Sequence, residues 1–183
     1  MLAHLNSEIG QSLLKLAREA IRTQLSGDEL VLPVLHEAPV ATGVFVTVHV
    51  AGALRGCIGF LEMQGGLLET IAEAARRAAA SDPRFFPVEE NELDECMIEV
   101  TLLGPTERLM DAEDFEIGRH GLTIDFQGHR GLLLPQVPVE RGWGKKEFLN
   151  ALCQKARVGD RSWERPEAKL SRFEGLVIRE IER

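Results

Sequence analysis

Six residues, Leu54-Arg55-Gly56-Cys57-Ile58-Gly59, place a cation, a thiol and two glycines inside a segment that otherwise reads as a strand. Gly56 and Gly59 each weaken a strand, through backbone entropy and the missing side chain, so they mark a bulge or a place where another group approaches the backbone closely. Strict alternation puts Arg55 and Cys57 on one face and Leu54, Gly56 and Ile58 on the other. A guanidinium beside a thiol lowers its pKa and raises the thiolate fraction, which makes Cys57 a candidate nucleophile. The plainer reading is a small buried hydrophobe with two glycines that serve packing.

Three further segments carry groups that such a thiol would use. Asp82-Pro83-Arg84 is a rigid turn that either closes a local ion pair or brings Arg84 to join Arg55 at an anion site. Glu99, within Met97-Ile98-Glu99-Val100-Thr101-Leu102-Leu103, is a carboxylate in an apolar strand and must meet solvent, a cation or a cavity. Gly118-Arg119-His120-Gly121 reads as a permissive loop able to present an imidazole. In an enzymatic scheme Cys57 attacks, His120 accepts its proton and Glu99 orients the imidazole. Backbone N–H groups around Gly56 and Gly59 would then stabilise an oxyanion, and Arg55 and Arg84 would hold a substrate carboxylate or phosphate. In the other scheme the same residues form a non-catalytic site for a small anionic ligand. The chain has no phosphate-binding P-loop, no G-x-G-x-x-G after a strand, no H-E-x-x-H and no G-x-S-x-G, so no cofactor is expected. Cys57, Cys96 and Cys153 are widely spaced, with no nearby histidine pair, which predicts neither a disulfide framework nor a metal site.

The elements that must position these groups follow from apolar spacing. Ile9, Leu13, Leu16 and Ala20 predict an amphipathic helix over residues 7 to 24, with Ser7 as its N-cap. Residues 26 to 41, broken by Pro33 and Pro39, read as a surface loop. Gly43 to Val50, then Ala51-Gly52, then a strand from Ala53 predict a β-hairpin whose second strand is the cysteine hexapeptide. Leu67, Ile71, Ala74 and Ala78 predict a helix ending near Ala80. Residues 122 to 126 and 130 to 134 form a second hairpin closed by Pro135 and Pro138, while Phe148, Leu149 and Leu152 line a helix and residues 172 to 181 form a last strand. Pro135 to Pro138 and Trp143 are candidates for an exposed docking surface. Hairpins interleaved with helices indicate an α+β fold with an antiparallel sheet rather than a parallel nucleotide-binding sheet.

The hexapeptide resembles the signature of the AMMECR domain family. The resemblance continues through Asp82-Pro83-Arg84-Phe85, Ile98-Glu99-Val100-Thr101, Gly118-Arg119-His120-Gly121-Leu122, Leu134-Pro135-Gln136-Val137, Gly142-Trp143 and Arg172-Phe173-Glu174, in family order over roughly residues 7 to 180. It implies a single domain over residues 1–183 with a larger lobe, a smaller lobe and a cleft between them, and it assigns no reaction. It also implies, as partners, a Memo-like protein and a radical S-adenosylmethionine protein, for which this chain would be a binding or scaffold module.

Composition narrows the partners. The chain has 183 residues, 21 Lys plus Arg and 29 Asp plus Glu, for a net charge of −8. That charge opposes attraction to phosphate backbones and anionic lipids, and Arg76-Arg77 and Lys145-Lys146 are the only adjacent basic pairs. No nucleic acid and no membrane are expected as partners. No apolar run approaches the length of a membrane span, and three unpaired cysteines fit a reducing, cytoplasmic setting.

Overall fold

The computed structural model describes residues 7–35 and 38–181. Helix α1 runs over Ser7–Ser26, and its buried Leu13, Leu16, Ala17, Ala20 and Ile21 follow the expected stripe. Ser7 lies inside the helix, so the cap position falls on a residue outside those described. Part of the expected loop, residues 36–37, also lies outside them. Strands β1 (Gly43–Val50) and β2 (Ala53–Phe60) pair antiparallel through the Ala51-Gly52 turn, as the sequence predicts. Both turn residues have positive φ, 49° and 79°, the conformation that matches the right-handed twist of a tight hairpin. Helix α2 (Leu67–Ala80), strand β3 (Cys96–Arg108), strands β4 (His120–Phe126) and β5 (His129–Leu133), helices α3 (Gln136–Arg141) and α4 (Lys145–Lys155) and strand β6 (Lys169–Arg179) complete the order.

The six strands follow the order β2-β1-β3-β6-β4-β5, an α+β arrangement in which β1 runs antiparallel to β2 and β3, and β4 antiparallel to β5 and β6. Two compact units emerge. One takes the chain up to Gly104 together with the residues from Leu176 onward; the other is Pro105–Gly175. In the first, Val44, Val46 and Val48 of β1, Ile98, Val100 and Leu102 of β3 and the apolar stripes of α1 and α2 form one core. The opposite sheet face, by alternation, carries Phe45 and Thr47 of β1, Cys57 and Gly59 of β2, Glu99 and Thr101 of β3, and Arg179 of β6. In the second, Leu122, Ile124 and Leu170 pack with Phe148, Leu149, Leu152 and Cys153 of α4, and Trp143 is packed against them.

Several boundaries differ from expectation for identifiable reasons. β3 extends past Gly104-Pro105, beyond the Gly43–Leu103 pair where its ladder with β1 ends, so Pro105 interrupts no bond of that ladder. α3 begins after Pro135 and carries Pro138 in its first turn, where no intrahelical N–H bond is lost. Pro135 and Pro138 are buried and Trp143 is partly buried against the core of its unit, so these three residues do not form the exposed surface expected of them. His120 is the first residue of β4 and only 6% exposed, not the tip of a permissive loop.

Candidate functional site

Glycine in the hexapeptide is explained first by packing. A Cβ on Gly56 would stand 1.9 Å from the carbonyl oxygen of Ala78, so the β2 backbone lies directly against the last turns of α2. The alanine-rich stripe of α2 makes that approach feasible. A Cβ on Gly59 would stand 2.3 Å from the Phe45 ring. The group that approaches the backbone is thus this chain's own helix at Gly56 and its own aromatic ring at Gly59.

Alternation breaks at Arg55. Val48 pairs with Gly56 but His49 pairs with Leu54, which leaves Arg55 as the extra residue of a β-bulge. The bulge directs its guanidinium to Glu92 at 2.8 Å and to the carbonyl of Pro87 at 3.0 Å. Arg55 is therefore a structural clamp, and the cation acting on the Cys57 thiol is Arg84.

Asp82 organises that arrangement. Its buried carboxylate accepts the backbone N–H of Cys57 at 2.9 Å, the backbone N–H of Arg84 at 3.1 Å and the Arg84 guanidinium at 2.6 and 2.9 Å. Arg84 also donates to the carbonyl of Cys57 at 3.2 Å and lies over the Phe85 ring. The Arg84 bonds hold the Asp82 carboxyl down at about 2, against desolvation. Arg84 thus closes the local ion pair with Asp82, while Arg55, its expected companion at an anion site, is bound to Glu92 instead.

On the sheet face itself, Thr47 lies across from Cys57 and donates its hydroxyl to the sulfur at 3.3 Å. Thr47 is also in register with Glu99 on its other side, whose carboxylate accepts from the Thr101 hydroxyl and from Nε of Arg179. Cys57, Thr47, Glu99 and Arg179 thereby form a polar row across four strands, with Thr47 and Glu99 buried and the Arg179 side chain half-exposed. Burial pushes the Cys57 thiol above its ordinary value, and Thr47 and Arg84 only partly offset this. The direction is opposite to the depressed pKa expected from an adjacent Arg55.

His120 belongs to the other unit. Its Nδ1 accepts the backbone N–H of Glu116 at 2.9 Å. Burial first, then Arg172 and Arg119, lower its pKa, so the neutral ring is favoured. A neutral imidazole that accepts at Nδ1 carries its proton on Nε2, and so offers a donor there rather than a base. The neighbouring Arg119 guanidinium pairs with Glu174 and Glu116, and Glu174 stands across from His120 on β6.

A family model, AMMECR1, matches residues 14–178. The chain belongs to the AMMECR1 family. It is 41% identical over 97% of its length to a protein of Methanocella arvoryzae, covering 94% of that protein, and 40% identical to one of Methanocaldococcus jannaschii, covering 93% of it. It is similar to the crystal structure of an uncharacterised protein from Pyrococcus horikoshii, with a TM-score of 0.87, 36% identity, and coverage of 94% of this chain and 92% of that one.

Of the residues singled out from the AMMECR1-family sequence, Cys57, Gly56, Gly59, Arg55, Arg84 and Glu99 lie in the first unit and His120 in the second. Sequence reasoning missed Thr47 and Arg179. An unbulged hairpin would pair Thr47 with Gly56, so its position across from Cys57 could not be counted from the turn. Arg179 joins Glu99 over 80 residues of chain, and only the requirement that Glu99 find a cation pointed toward it. Among the described residues no cluster of three or more His, Cys, Asp or Glu could hold a metal ion, and no helix is long and apolar enough to cross a membrane.

Proposed function

We propose that this AMMECR1-family chain binds a small ligand bearing a carboxylate or phosphate on the sheet face around Cys57, with Arg84 as the receiving cation. The observation that carries this reading is the Asp82 clamp. A single buried carboxylate fixes the Cys57 backbone and the Arg84 guanidinium together, while the Arg84 side chain keeps 49% of its surface open. A guanidinium already held in place through Nε and Nη2 loses little freedom on receiving an anion at its outer edge, where Nη1 would donate to a carboxylate or phosphate oxygen. The thiol, raised by burial, rests protonated and supplies a neutral neighbour to the ligand rather than a standing nucleophile. Binding is therefore favoured over cysteine-dependent catalysis.

The test is a panel of small carboxylates and phosphate esters, read by thermal shift and by protection of Cys57 from alkylation. A ligand of this site raises Tm and slows Cys57 labelling, and Arg84→Gln removes both effects. If no compound does both, or if Arg84→Gln binds unchanged, the reading is wrong.

A second reading, a scaffold for Memo-like and radical S-adenosylmethionine proteins, is favoured by Phe86, which is 84% exposed on the same Asp82-anchored turn. Large exposed aromatics are common anchors of protein interfaces. Co-purification with such purified partners, lost in Phe86→Ala, is the expected outcome on this reading.

A further inference from the structure

β2 ends the sheet, yet its outer edge is not bare. In an antiparallel ladder the N–H and C=O of one residue point the same way, and successive residues alternate between the partner strand and the outside. Cys57, opposite Thr47, has its backbone groups turned outward. There the Asp82 carboxylate accepts its N–H at 2.9 Å and the Arg84 guanidinium donates to its C=O at 3.2 Å. An acceptor and a donor at those positions are what a residue of a neighbouring strand would supply. Nearer the turn, Arg55 donates to the carbonyl of Pro87 and to Glu92, so the segment 82–92 is tied to β2 at two places. Between them Val88 is buried in the core of the same unit and donates its N–H to the carbonyl of Ala79 at 2.8 Å.

This segment covers the edge without continuing the sheet. Pro83 and Pro87 have no N–H to give to a ladder, and the bonds to β2 run through side chains and one carbonyl. Edge strands commonly protect themselves with lysines, prolines, inward charges or bulges. β2 has its bulge at Arg55, but the regular stretch Gly56–Phe60 beyond it contains neither a proline nor a charged residue. Uncovered, such a stretch is a template for another strand. A second copy carries the matching edge. Two β2 strands related by a two-fold axis at Cys57 run antiparallel, and each Cys57 would give its N–H to the other's C=O. An ion pair that served only to fix the turn after α2 would not have to direct its carboxylate and its guanidinium at the two outward groups of one strand residue.

We propose that residues 82–92 are an edge cover, which holds the place beside β2 and keeps that strand from pairing with β2 of a second copy of this chain. Asp82 and Arg84 are its working groups, because they satisfy the two backbone groups of Cys57 that an incoming strand would need. With both removed, the N–H and C=O of Cys57 are left for water or for another strand. The inference does not rest on anion binding at Arg84, whose Nε and Nη2 keep their bonds to Asp82 and Cys57 whether or not the outer edge of the guanidinium receives a ligand.

Asp82→Ala combined with Arg84→Ala removes the acceptor and the donor together. Sedimentation velocity over a range of concentrations should show self-association of this variant that the unmodified chain lacks. In the two-fold pairing the Cys57 Cα atoms stand about 5.5 Å apart, inside disulfide range, and the other two cysteines are buried. Mild oxidation should therefore join variant chains through Cys57, mapped by mass spectrometry, and leave unmodified chains unjoined. Hydrogen exchange reads the cover in the unmodified chain itself. The Cys57 N–H should exchange roughly tenfold or more slower than an open amide, and should lose that protection in the dilute variant. Ile58, paired with Val46 inside the ladder, should stay slow in both and report an intact hairpin. Should the double variant not fold, Arg84→Ala, which frees the Cys57 carbonyl alone and leaves Asp82 its two backbone bonds, is expected to give the same Cys57 link at higher concentration. A folded variant that keeps the size of the unmodified chain, or one that associates without joining Cys57 to Cys57, overturns the proposal. So does a Cys57 amide that exchanges in the unmodified chain as fast as an open one.

Discussion

Cys57 is the only one of the three cysteines that is not fully buried, and Cys96 and Cys153 are closed off in their respective cores. Alkylation of the folded protein should therefore map to Cys57 alone, with a rate that still climbs above pH 9, because burial raises the thiol from its ordinary 9.0. Arg84→Gln removes a group that lowers this pKa and should slow labelling further at any fixed pH. Rates against pH, with sites mapped by mass spectrometry, check both points; an acid-shifted profile would contradict them. Asp82 gives a second prediction at the same scale. Its folded pKa of about 2 lies below the ordinary 3.8, so its contribution is fully present above about pH 4 and is lost as the pH falls toward 2. At neutral pH Asp82→Asn should cost about 2 kcal/mol, and the difference between the two proteins should shrink in acid denaturation below pH 4.

Between elements, the contact of β2 with α2 leaves no room for a methyl group, since a Cβ on Gly56 would overlap the carbonyl of Ala78. Gly56→Ala should destabilise by about 3 kcal/mol or more in urea unfolding, because backbone on both sides must move. Loss of anion binding without loss of stability would instead make the glycine a ligand contact. The polar row offers the companion test. Arg179→Met takes a guanidinium from the buried Glu99 carboxylate and should cost about 2 kcal/mol, with Glu99→Gln in the same chain restoring part of it. The elements themselves were largely legible: β-branched alternation and Ala51-Gly52 define the first hairpin, and the 3.6-residue stripes define α1, α2 and α4. What alternation could not reveal was the bulge. Gly56 and Gly59 allowed for a bulge, but they do not say which residue is the extra one; it is Arg55, which the bulge turns toward Glu92 while Thr47 shifts opposite Cys57. Pro135 and Pro138 read as terminators because a proline that starts a helix and one that stops a strand look alike without the coordinates. Long-range partners such as Arg179 were illegible for the simpler reason that many cations could have served Glu99.

At the scale of the whole chain, a net charge of −8, with ten arginines held in ion pairs among the described residues, should keep it off nucleic acids. Anisotropy titrations with a duplex and a single strand are expected to show no salt-sensitive binding at physiological ionic strength; micromolar affinity would overturn this. The path of the chain also orders events in time. Residues 105 to 175 form a unit whose sequence is continuous, whereas the unit that precedes them takes back the stretch from Leu176 onward. Within that stretch Arg179 meets Glu99, and Glu180 receives the Arg18 guanidinium at 2.6 and 2.8 Å and the Ile98 N–H at 2.9 Å. On the ribosome, then, the segment made earlier waits for the segment made later. A nascent chain halted between them carries a buried carboxylate and a helix arginine whose counter-ions have not yet been translated, and it is distinguishable from the finished protein by any protease or chaperone that reads incomplete folding.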